Sequence, residues 1–131
     1  MKKSFRWKLA QYLEVKWWNR YLSDKNPDEY ILWKIDYWKK LLKELSDVLP
    51  LNKGTSVLDA GCGVGGSSVW LAQNKKAFVT GITLSNKQAA RANAYAQKIG
   101  LANQVQFDVQ DYTQTNFDAG SFDVVWAIES V

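Results

Sequence analysis

The chain has 131 residues, enough for one domain with a sizeable core but short for a complete doubly wound enzyme. Hydrophobic residues make up 47% of it and charged residues 23%, and no apolar run is long enough to cross a bilayer. The single cysteine and the absence of histidine exclude an internal disulfide, imidazole metal ligands and a histidine-based catalytic triad. Arg6 and Lys8 interrupt the stretch in which a signal peptide would need its apolar region, so we expect a soluble, cytoplasmic protein.

The net charge of +4 comes from the N-terminal part of the chain. Residues 1–50 contain eleven Lys and Arg against seven Asp and Glu, whereas residues 51–131 contain six of each kind. A local basic excess can mark a nucleic-acid or membrane surface, but lysines on the outer face of amphipathic helices produce the same imbalance. No nucleic-acid recognition motif accompanies it. We therefore expect neither a nucleic-acid partner nor stable membrane insertion.

Composition changes near Pro50, which predicts a helical N-terminal segment over residues 1–50 and a second region over residues 51–131. Trp, Tyr and Phe supply ten of the first thirty-eight residues. Apolar residues recur there at helical spacing, which predicts two helices. Pro27 suits the first position of the second helix, and Pro50 should end it.

From residue 56 onward, short β-branched runs alternate with helical stretches, a pattern typical of βαβ units in a parallel sheet. Four strands are predicted, at residues 56–59, 77–82, 105–109 and 122–128. One helix should follow the first strand, and another should occupy residues 86–99. The second region is therefore expected to belong to the α/β class.

A glycine-rich turn, Gly61-Cys62-Gly63-Val64-Gly65-Gly66, joins the first predicted strand to the helix after it. Only glycine lets the backbone pass close beneath a bound cofactor and still turn into a helix. The spacing of Gly61, Gly63 and Gly66 also satisfies the dinucleotide fingerprint, in which the helix N-terminus holds a pyrophosphate. A turn with a purely structural role fits the same residues, so the turn alone does not choose between ligands.

Two residues, Asp59 and Thr83, distinguish an S-adenosylmethionine site from a dinucleotide site. Asp59 stands just before the turn, where a carboxylate suits a cofactor that carries an ammonium group, as S-adenosylmethionine does, and NAD would gain nothing from it. A dinucleotide site requires an acidic residue about 20 positions further on, at the end of the second strand. This chain has Thr83 there. The pattern favours S-adenosylmethionine over a nicotinamide dinucleotide.

With these features the chain resembles the class I methyltransferases, Rossmann-like enzymes that use S-adenosylmethionine. Four blocks match in order: Asp59-x-Gly61-x-Gly63-x-Gly65, Gly81-Ile82-Thr83-Leu84-Ser85-Asn86-Lys87-Gln88, Asp111-Tyr112 and Phe122-Asp123-Val124-Val125. The resemblance implies a parallel sheet with strand order 3-2-1-4 after two N-terminal helices. It also implies that these four strands are part of an incomplete seven-stranded methyltransferase fold.

The resemblance implies which residues of the turn contact the cofactor. In the family the turn passes beneath the methionine and ribose portions, which assigns this role to Asp59, Gly61, Gly63 and Gly65. Cys62 lies in the same turn and is included with them, although its side chain should only fill space.

A second set of contacts follows from the end of the second strand. Most members of the family bind the ribose hydroxyls through an acidic residue at the position of Thr83. The sequence Thr83-Leu84-Ser85 followed by Gln88 resembles instead the cyclopropane fatty acid synthases and the sterol and tocopherol methyltransferases. In that variant Thr83 and Gln88 take over the role, with Leu84 and Ser85 beside them.

The remaining candidates lie after the third and fourth strands. Asp111 resembles the carboxylate that accepts the adenine amino group, with Tyr112 beside the ring. Ile128 and Glu129 end the fourth strand, at the carboxyl edge where open α/β sheets bind ligands. Ile128 is expected at the cofactor and Glu129 near the transferred methyl, as the catalytic candidate. A structural role for Glu129 at the strand end is equally compatible with the sequence.

The leading hypothesis is a methyltransferase that acts on a small molecule, a lipid or an amine according to the Thr-Leu-Ser variant. A non-catalytic cofactor-binding or assembly fragment and an NAD(P) oxidoreductase are the alternatives. The apolar run at residues 124–128 suits a strand covered on both faces, and at a sheet edge it would leave a surface prone to pairing. We therefore expect a fragment of a longer protein or a homo-oligomer that associates through the fourth strand.

Overall fold

A computed structural model describes the backbone of residues 27–128 and the side chains of residues 36–128, and its first element is helix α1 (Pro27–Asp47). This helix confirms the second predicted helix, while the first lies outside the described residues. The chain divides into two compact units at a boundary within α1: one unit ends at Leu41 and the other begins at Leu42. The division near residue 50 that composition suggests remains a prediction.

Helix α1 ends at Asp47, three residues before the predicted end at Pro50. The residue before a proline is disfavoured in the helical conformation, so the chain leaves the helix before Pro50 and forms a turn. The Asp47 carboxylate also binds outside the helix, because the Lys75 ammonium lies 2.6 Å from it. In the unit that begins at Leu42, that leucine is buried in the core.

The predicted parallel sheet is confirmed, with four strands in the order β3-β2-β1-β4. The strands are β1 (Ser56–Ala60), β2 (Phe78–Thr83), β3 (Val105–Val109) and β4 (Val124–Trp126). Helix α2 (Gly66–Lys75) connects β1 to β2, and helix α3 (Asn86–Lys98) connects β2 to β3. The bounds of β3 are those predicted, β1 and α3 differ from prediction by one residue at one end, and β2 is shifted by one residue at both ends.

Strand β4 is shorter than predicted. Residues 122 and 123 precede it and residues 127 and 128 follow it. Before the strand, the Phe122 ring packs edge to face against Phe117, with 4.9 Å between ring centroids. Asp123 exchanges hydrogen bonds with Ser56: its N–H donates to the Ser56 carbonyl, and its Oδ2 accepts from the Ser56 N–H, both at 2.9 Å. Strand β4 is an outer strand of the described sheet and Val125 on it is 66% exposed, so the apolar run leaves an exposed surface there, as the sequence predicts for a strand at an edge.

Residues alternate between the two faces of the sheet, and one face carries the main core. On this face Val57, Val79, Val105 and Val124 align in register, and they share a buried cluster with residues of α2 and α3. The connection from β3 to β4 runs back in the opposite direction across the sheet. The right-handed rule for parallel crossovers therefore predicts that residues 110–123 cross on the other face.

None of the helices in the described part of the chain is both long enough and apolar enough to span a membrane.

Candidate functional site

The candidate site is at the carboxyl edge of the sheet, where β1 and β2 end. Residues 61–65 leave β1 there and enter α2, and residues 84 and 85 leave β2 and enter α3. Open α/β sheets bind ligands at this edge because successive loops and helix N-termini converge on it. The two adjacent connections bring together the two largest groups of predicted cofactor residues.

The glycine turn has a backbone that other residues adopt only with strain. Gly61, Gly63 and Gly65 have φ angles of +77°, +57° and +85°. The N–H groups of Gly61 and Cys62 both donate to the Ile82 carbonyl, at 3.0 and 2.9 Å, which ties the turn to the end of β2. A Cβ atom built on Gly63 would have no atom within 4 Å, so the turn is open at this position. A ligand can therefore approach the backbone there.

Asp59 is buried immediately below this turn, with 2% of its surface exposed. Its Oδ2 accepts hydrogen bonds from the hydroxyls of Ser67 and Ser68, at 2.7 and 2.6 Å. These hydroxyls belong to the first turn of α2, so the carboxylate links the end of β1 to the start of that helix. Burial raises the pKa of Asp59, and the two hydroxyl hydrogen bonds only partly offset this rise. A cationic group near Asp59 would favour its ionised form.

Cys62 is buried in the turn, and its environment makes the thiol unreactive. Burial, followed by the nearby Asp59 charge, raises its pKa to about 12. The thiolate is the nucleophilic form, and it is scarce at neutral pH with such a pKa. The Cys62 side chain therefore occupies space rather than supplying chemistry.

The structure joins Thr83, Ser85 and Gln88 in one hydrogen-bonded group after β2. The buried Thr83 hydroxyl donates to Oε1 of Gln88 at 2.8 Å and accepts from the Ser85 N–H at 3.3 Å. Ser85 caps α3, since its hydroxyl oxygen accepts from the Gln88 N–H at 3.2 Å. Leu84 is 73% exposed between them. The group is uncharged at the position where most class I methyltransferases carry a carboxylate.

The predicted residues after β3 and β4 are less tightly held. Asp111 is exposed, and its Oδ1 accepts from the N–H and the hydroxyl of Thr113, at 2.8 and 2.7 Å. These two hydrogen bonds lower the pKa of Asp111. Tyr112 is 43% exposed, and Ile128 is half-buried against the core. Glu129 lies outside the described residues.

Sequence reasoning missed the partners that hold the site together. Ser67 and Ser68 were not singled out, although hydroxyls directly after a glycine turn could have indicated them as partners of Asp59. Asn93 of α3 hydrogen-bonds to the backbone of Phe107 in β3, and no local pattern indicates this contact. Among the described residues no group of three or more Cys, Asp or Glu is arranged to hold a metal ion.

Comparison with known proteins agrees with this geometry. The methyltransferase domain family matches residues 57–131, more than half of the chain. A probable chloroplastic tocopherol O-methyltransferase of Oryza sativa subsp. japonica is 50% identical over 78 residues, which cover 60% of this chain and 22% of that protein. A sterol 24-C-methyltransferase of Gibberella zeae is 43% identical over 86 residues, which cover 66% of this chain and 23% of that protein.

A solved structure shares the fold. Geranyl diphosphate C-methyltransferase from Streptomyces coelicolor A3(2), in complex with Mg²⁺, geranyl diphosphate and S-adenosyl-L-homocysteine, matches with a TM-score of 0.65 and 31% identity. The match covers 70% of this chain and 35% of that one. The fold and the glycine turn are thus those of a Rossmann-like, class I methyltransferase domain. This chain belongs to the methyltransferase domain family, and it spans about a quarter of the length of the two curated relatives described above.

The raised pKa of Asp59 predicts an unusual effect of the substitution Asp59→Asn. The folded protein binds this proton more readily than the unfolded chain, whose aspartate has an ordinary pKa near 3.8. Ionisation of Asp59 therefore lowers the stability of the wild type as the pH rises from that value through the raised pKa. The variant lacks this loss and keeps an oxygen that can accept from Ser67 and Ser68. Its free energy of unfolding, measured in urea, should increase relative to that of the wild type as the pH rises.

Asp111→Asn is the matched control, because the pKa of Asp111 is shifted in the opposite direction. Ionised Asp111 favours the folded state, so this variant should lose stability relative to the wild type as the pH rises from the lowered pKa to about 3.8, and the difference should stay constant above that pH. If the Asp59→Asn difference is independent of pH, or follows that of Asp111→Asn, the burial of an ionisable Asp59 is refuted.

Proposed function

We propose that the chain carries the cofactor-binding part of an S-adenosylmethionine-dependent methyltransferase that acts on a small molecule. One observation carries the proposal: a glycine turn with three positive φ angles, open at Gly63, lies directly above the buried carboxylate of Asp59. A backbone that a ligand can approach, with an unneutralised buried anion beside it, suits a ligand with a positive end. The methionine end of S-adenosylmethionine carries an ammonium, and its sulfur is a sulfonium.

The residues of the turn fit the cofactor by their chemistry. Gly61, Gly63 and Gly65 supply a close-approach surface, and Asp59 supplies the charge opposite the ammonium. Oδ2 of Asp59 already accepts two hydroxyl hydrogen bonds, so we assign interaction with the cation to the other oxygen, Oδ1. Cys62 contributes its place in the turn and no reactive group.

We assign the ribose hydroxyls to the polar group at the end of β2. Because Thr83 donates to Oε1 of Gln88, the Gln88 amide is held with its Nε2 donors unused by Thr83. Those donors and the Thr83 hydroxyl provide neutral hydrogen bonding in place of a carboxylate. Ser85 fixes the start of α3 beneath them, and Leu84 lies exposed at the rim.

The adenine is assigned to the segment that follows β3. Asp111 would accept from the exocyclic amino group through the oxygen that Thr113 leaves uncommitted, and Tyr112 would lie beside the ring. Ile128 supplies an apolar contact at the end of β4. We propose Glu129 as the residue nearest the transferred methyl.

The bound cofactor supplies a methyl group already activated by the sulfonium. The protein then has to hold the donor, orient an acceptor in line with it and exclude water. The glycine turn and the polar group after β2 perform the holding. No histidine is required for this work, which agrees with the composition of the chain.

The names of the three similar proteins described above point to one class of acceptor. A tocopherol, a sterol and geranyl diphosphate are all isoprenoid or isoprenoid-derived small molecules. We propose an acceptor of this isoprenoid class, and no nucleic-acid partner. We also propose a cytoplasmic location, for which the single cysteine, unable to form an internal disulfide, is the support.

The alternatives predict different ligands and products. An NAD(P) oxidoreductase would bind a nicotinamide dinucleotide, and a non-catalytic fragment would bind S-adenosylmethionine without forming S-adenosylhomocysteine when acceptors are added. Calorimetric titration with both cofactors, followed by assay of S-adenosylhomocysteine with isoprenoid acceptors, separates all three. Methyl transfer is the expected outcome for the protein that contains this domain.

The open position at Gly63 gives a sharp test of the cofactor site. Gly63→Ala places a methyl group where the turn has no neighbour, and we expect the dissociation constant for S-adenosylhomocysteine to rise at least about tenfold, equivalent to about 1.4 kcal/mol. Gly120→Ala is the matched control, because Gly120 also has a positive φ, +77°, and no atom within 4 Å of a built Cβ. Backbone strain is therefore similar in the two variants. Equal loss of affinity in both would contradict the assignment of the turn.

We also propose homo-association through β4. This strand is an outer strand of the described sheet, and Val125 on it is 66% exposed, which is a combination prone to pairing. Val125→Lys should lower the mass measured by light scattering at high concentration, whereas Leu84→Lys, at an equally exposed leucine away from β4, should not. A wild type that remains monomeric at every concentration would refute this proposal.

A further inference from the structure

Strand β3 is the outer strand at the opposite side of the sheet from β4. Its peptide groups point alternately toward β2 and toward the open edge. The Gln104 carbonyl accepts from the Val79 N–H at 2.8 Å, and the Gln110 N–H donates to the Thr83 carbonyl at 3.1 Å, so these residues turn toward β2. Successive residues of a strand turn their peptide groups to alternate sides. Phe107, an odd number of positions from both, presents its N–H and C=O to the open edge.

Both of these outward groups are bound by one side chain. Oδ1 of Asn93 accepts from the Phe107 N–H at 3.0 Å, and Nδ2 of Asn93 donates to the Phe107 carbonyl at 2.8 Å. The carboxamide presents an N–H donor and a carbonyl acceptor to Phe107, as a paired backbone does, so it stands where the backbone of a further strand would pair. Asn93 lies on α3, and it thereby fixes the position of Phe107 along and across the edge.

The Phe107 ring lies beneath the glycine turn. A Cβ atom on Gly65 would be 2.5 Å from Cζ of Phe107, and a Cβ atom on Gly81 would be 2.6 Å from Cδ1 of the same ring. Such distances are closer than real Cβ atoms approach, so only glycine fits at either position. Gly65 is the N-cap residue of α2, and Gly81 lies beside Asp59 in the sheet register. The ring therefore limits how closely the glycine turn can approach β2.

These contacts form a chain from α3 to the turn, and from them we infer that Asn93 is a positioning residue for the cofactor site. Asn93 holds Phe107 by its two backbone groups, and the Phe107 ring supports the backbone of Gly65 and Gly81. Asn93 does not need to touch the cofactor for its removal to weaken binding. The inference rests on the proposed function for its ligand, but its effect on the turn exists without ligand.

The first test is binding of S-adenosylhomocysteine by calorimetry to the chain and its variants. Asn93→Ala should raise the dissociation constant about tenfold, since the two hydrogen bonds that hold the Phe107 backbone, and through it the ring, are lost. Gln97→Ala is the matched control, because it removes a carboxamide one helical turn later on the same exposed side of α3. It should change the constant by less than about twofold. Asn93→Asp, which keeps the acceptor for the Phe107 N–H and loses the donor, serves if Asn93→Ala does not fold.

The second test uses the ligand-free protein, so it separates this inference from the proposed function. In amide hydrogen exchange followed by NMR, Asn93→Ala should accelerate exchange at Phe107 and also at Gly61 and Gly65, while Gln97→Ala should leave all three unchanged. Faster exchange at Phe107 with unchanged exchange at Gly61 and Gly65 would overturn the inference. If the wild type binds no S-adenosylhomocysteine, the proposed function fails, and this exchange pattern still decides the role of Asn93.

A double variant distinguishes positioning from general stabilisation. Phe107→Leu removes the ring through which Asn93 is inferred to act, so adding Asn93→Ala to it should cause little further loss of affinity. Losses that add independently would show that Asn93 affects binding by another route and would overturn the inference.

Discussion

The buried carboxylate of Asp59 is the constraint on which the rest of the site depends. An ionised group at the end of a buried strand is costly unless it is paired, and two serine hydroxyls satisfy only one of its oxygens. The same hydroxyls hold α2 against β1, so the glycine turn has to span a short, defined gap. Its positive φ angles follow from that geometry, and so does its attachment to the Ile82 carbonyl.

The site spreads from this point along the carboxyl edge and becomes less charged. Beside the turn, Thr83 and Gln88 provide neutral donors and acceptors on a capped helix, and beyond them Asp111 is exposed and held by Thr113. A ligand with a cationic end and a neutral sugar matches this distribution. A dinucleotide would place two phosphates near a buried anion that no cation offsets in the described chain.

Much of the fold could be predicted because local signals agreed with it. The bounds of β3, Val105–Val109, were predicted as observed, and the order of the strands followed from the resemblance to the class I methyltransferases. Strand β4 could not be bounded in this way, because Phe122 and Asp123 are used for an aromatic pair and for the hydrogen bonds to Ser56. The aromatic pair and the hydrogen bonds to Ser56 form only in the folded chain, so the local sequence does not indicate them.

The candidate site shows the same division between local and tertiary information. The glycine turn, Asp59 and the Thr83-to-Gln88 segment are recognisable from spacing, and the structure brings these two segments to adjacent strand ends. Phe107 and Asn93 are not recognisable, because an aromatic residue in a strand and an asparagine in a helix have no local signature. Their importance arises only when β3 becomes an outer strand and the ring meets two glycines.

The central claim is that the turn above Asp59 receives an adenosyl sulfonium, and the most direct measurement is NMR mapping of ligand contacts on the isotope-labelled chain. Titration with S-adenosylmethionine should shift the amide signals of Gly61, Gly63 and Gly65 first, together with those of residues 83–88. NAD at the same concentration should leave them in place. Shifts at the turn with NAD alone, or shifts with S-adenosylmethionine only at other parts of the chain, would contradict the account.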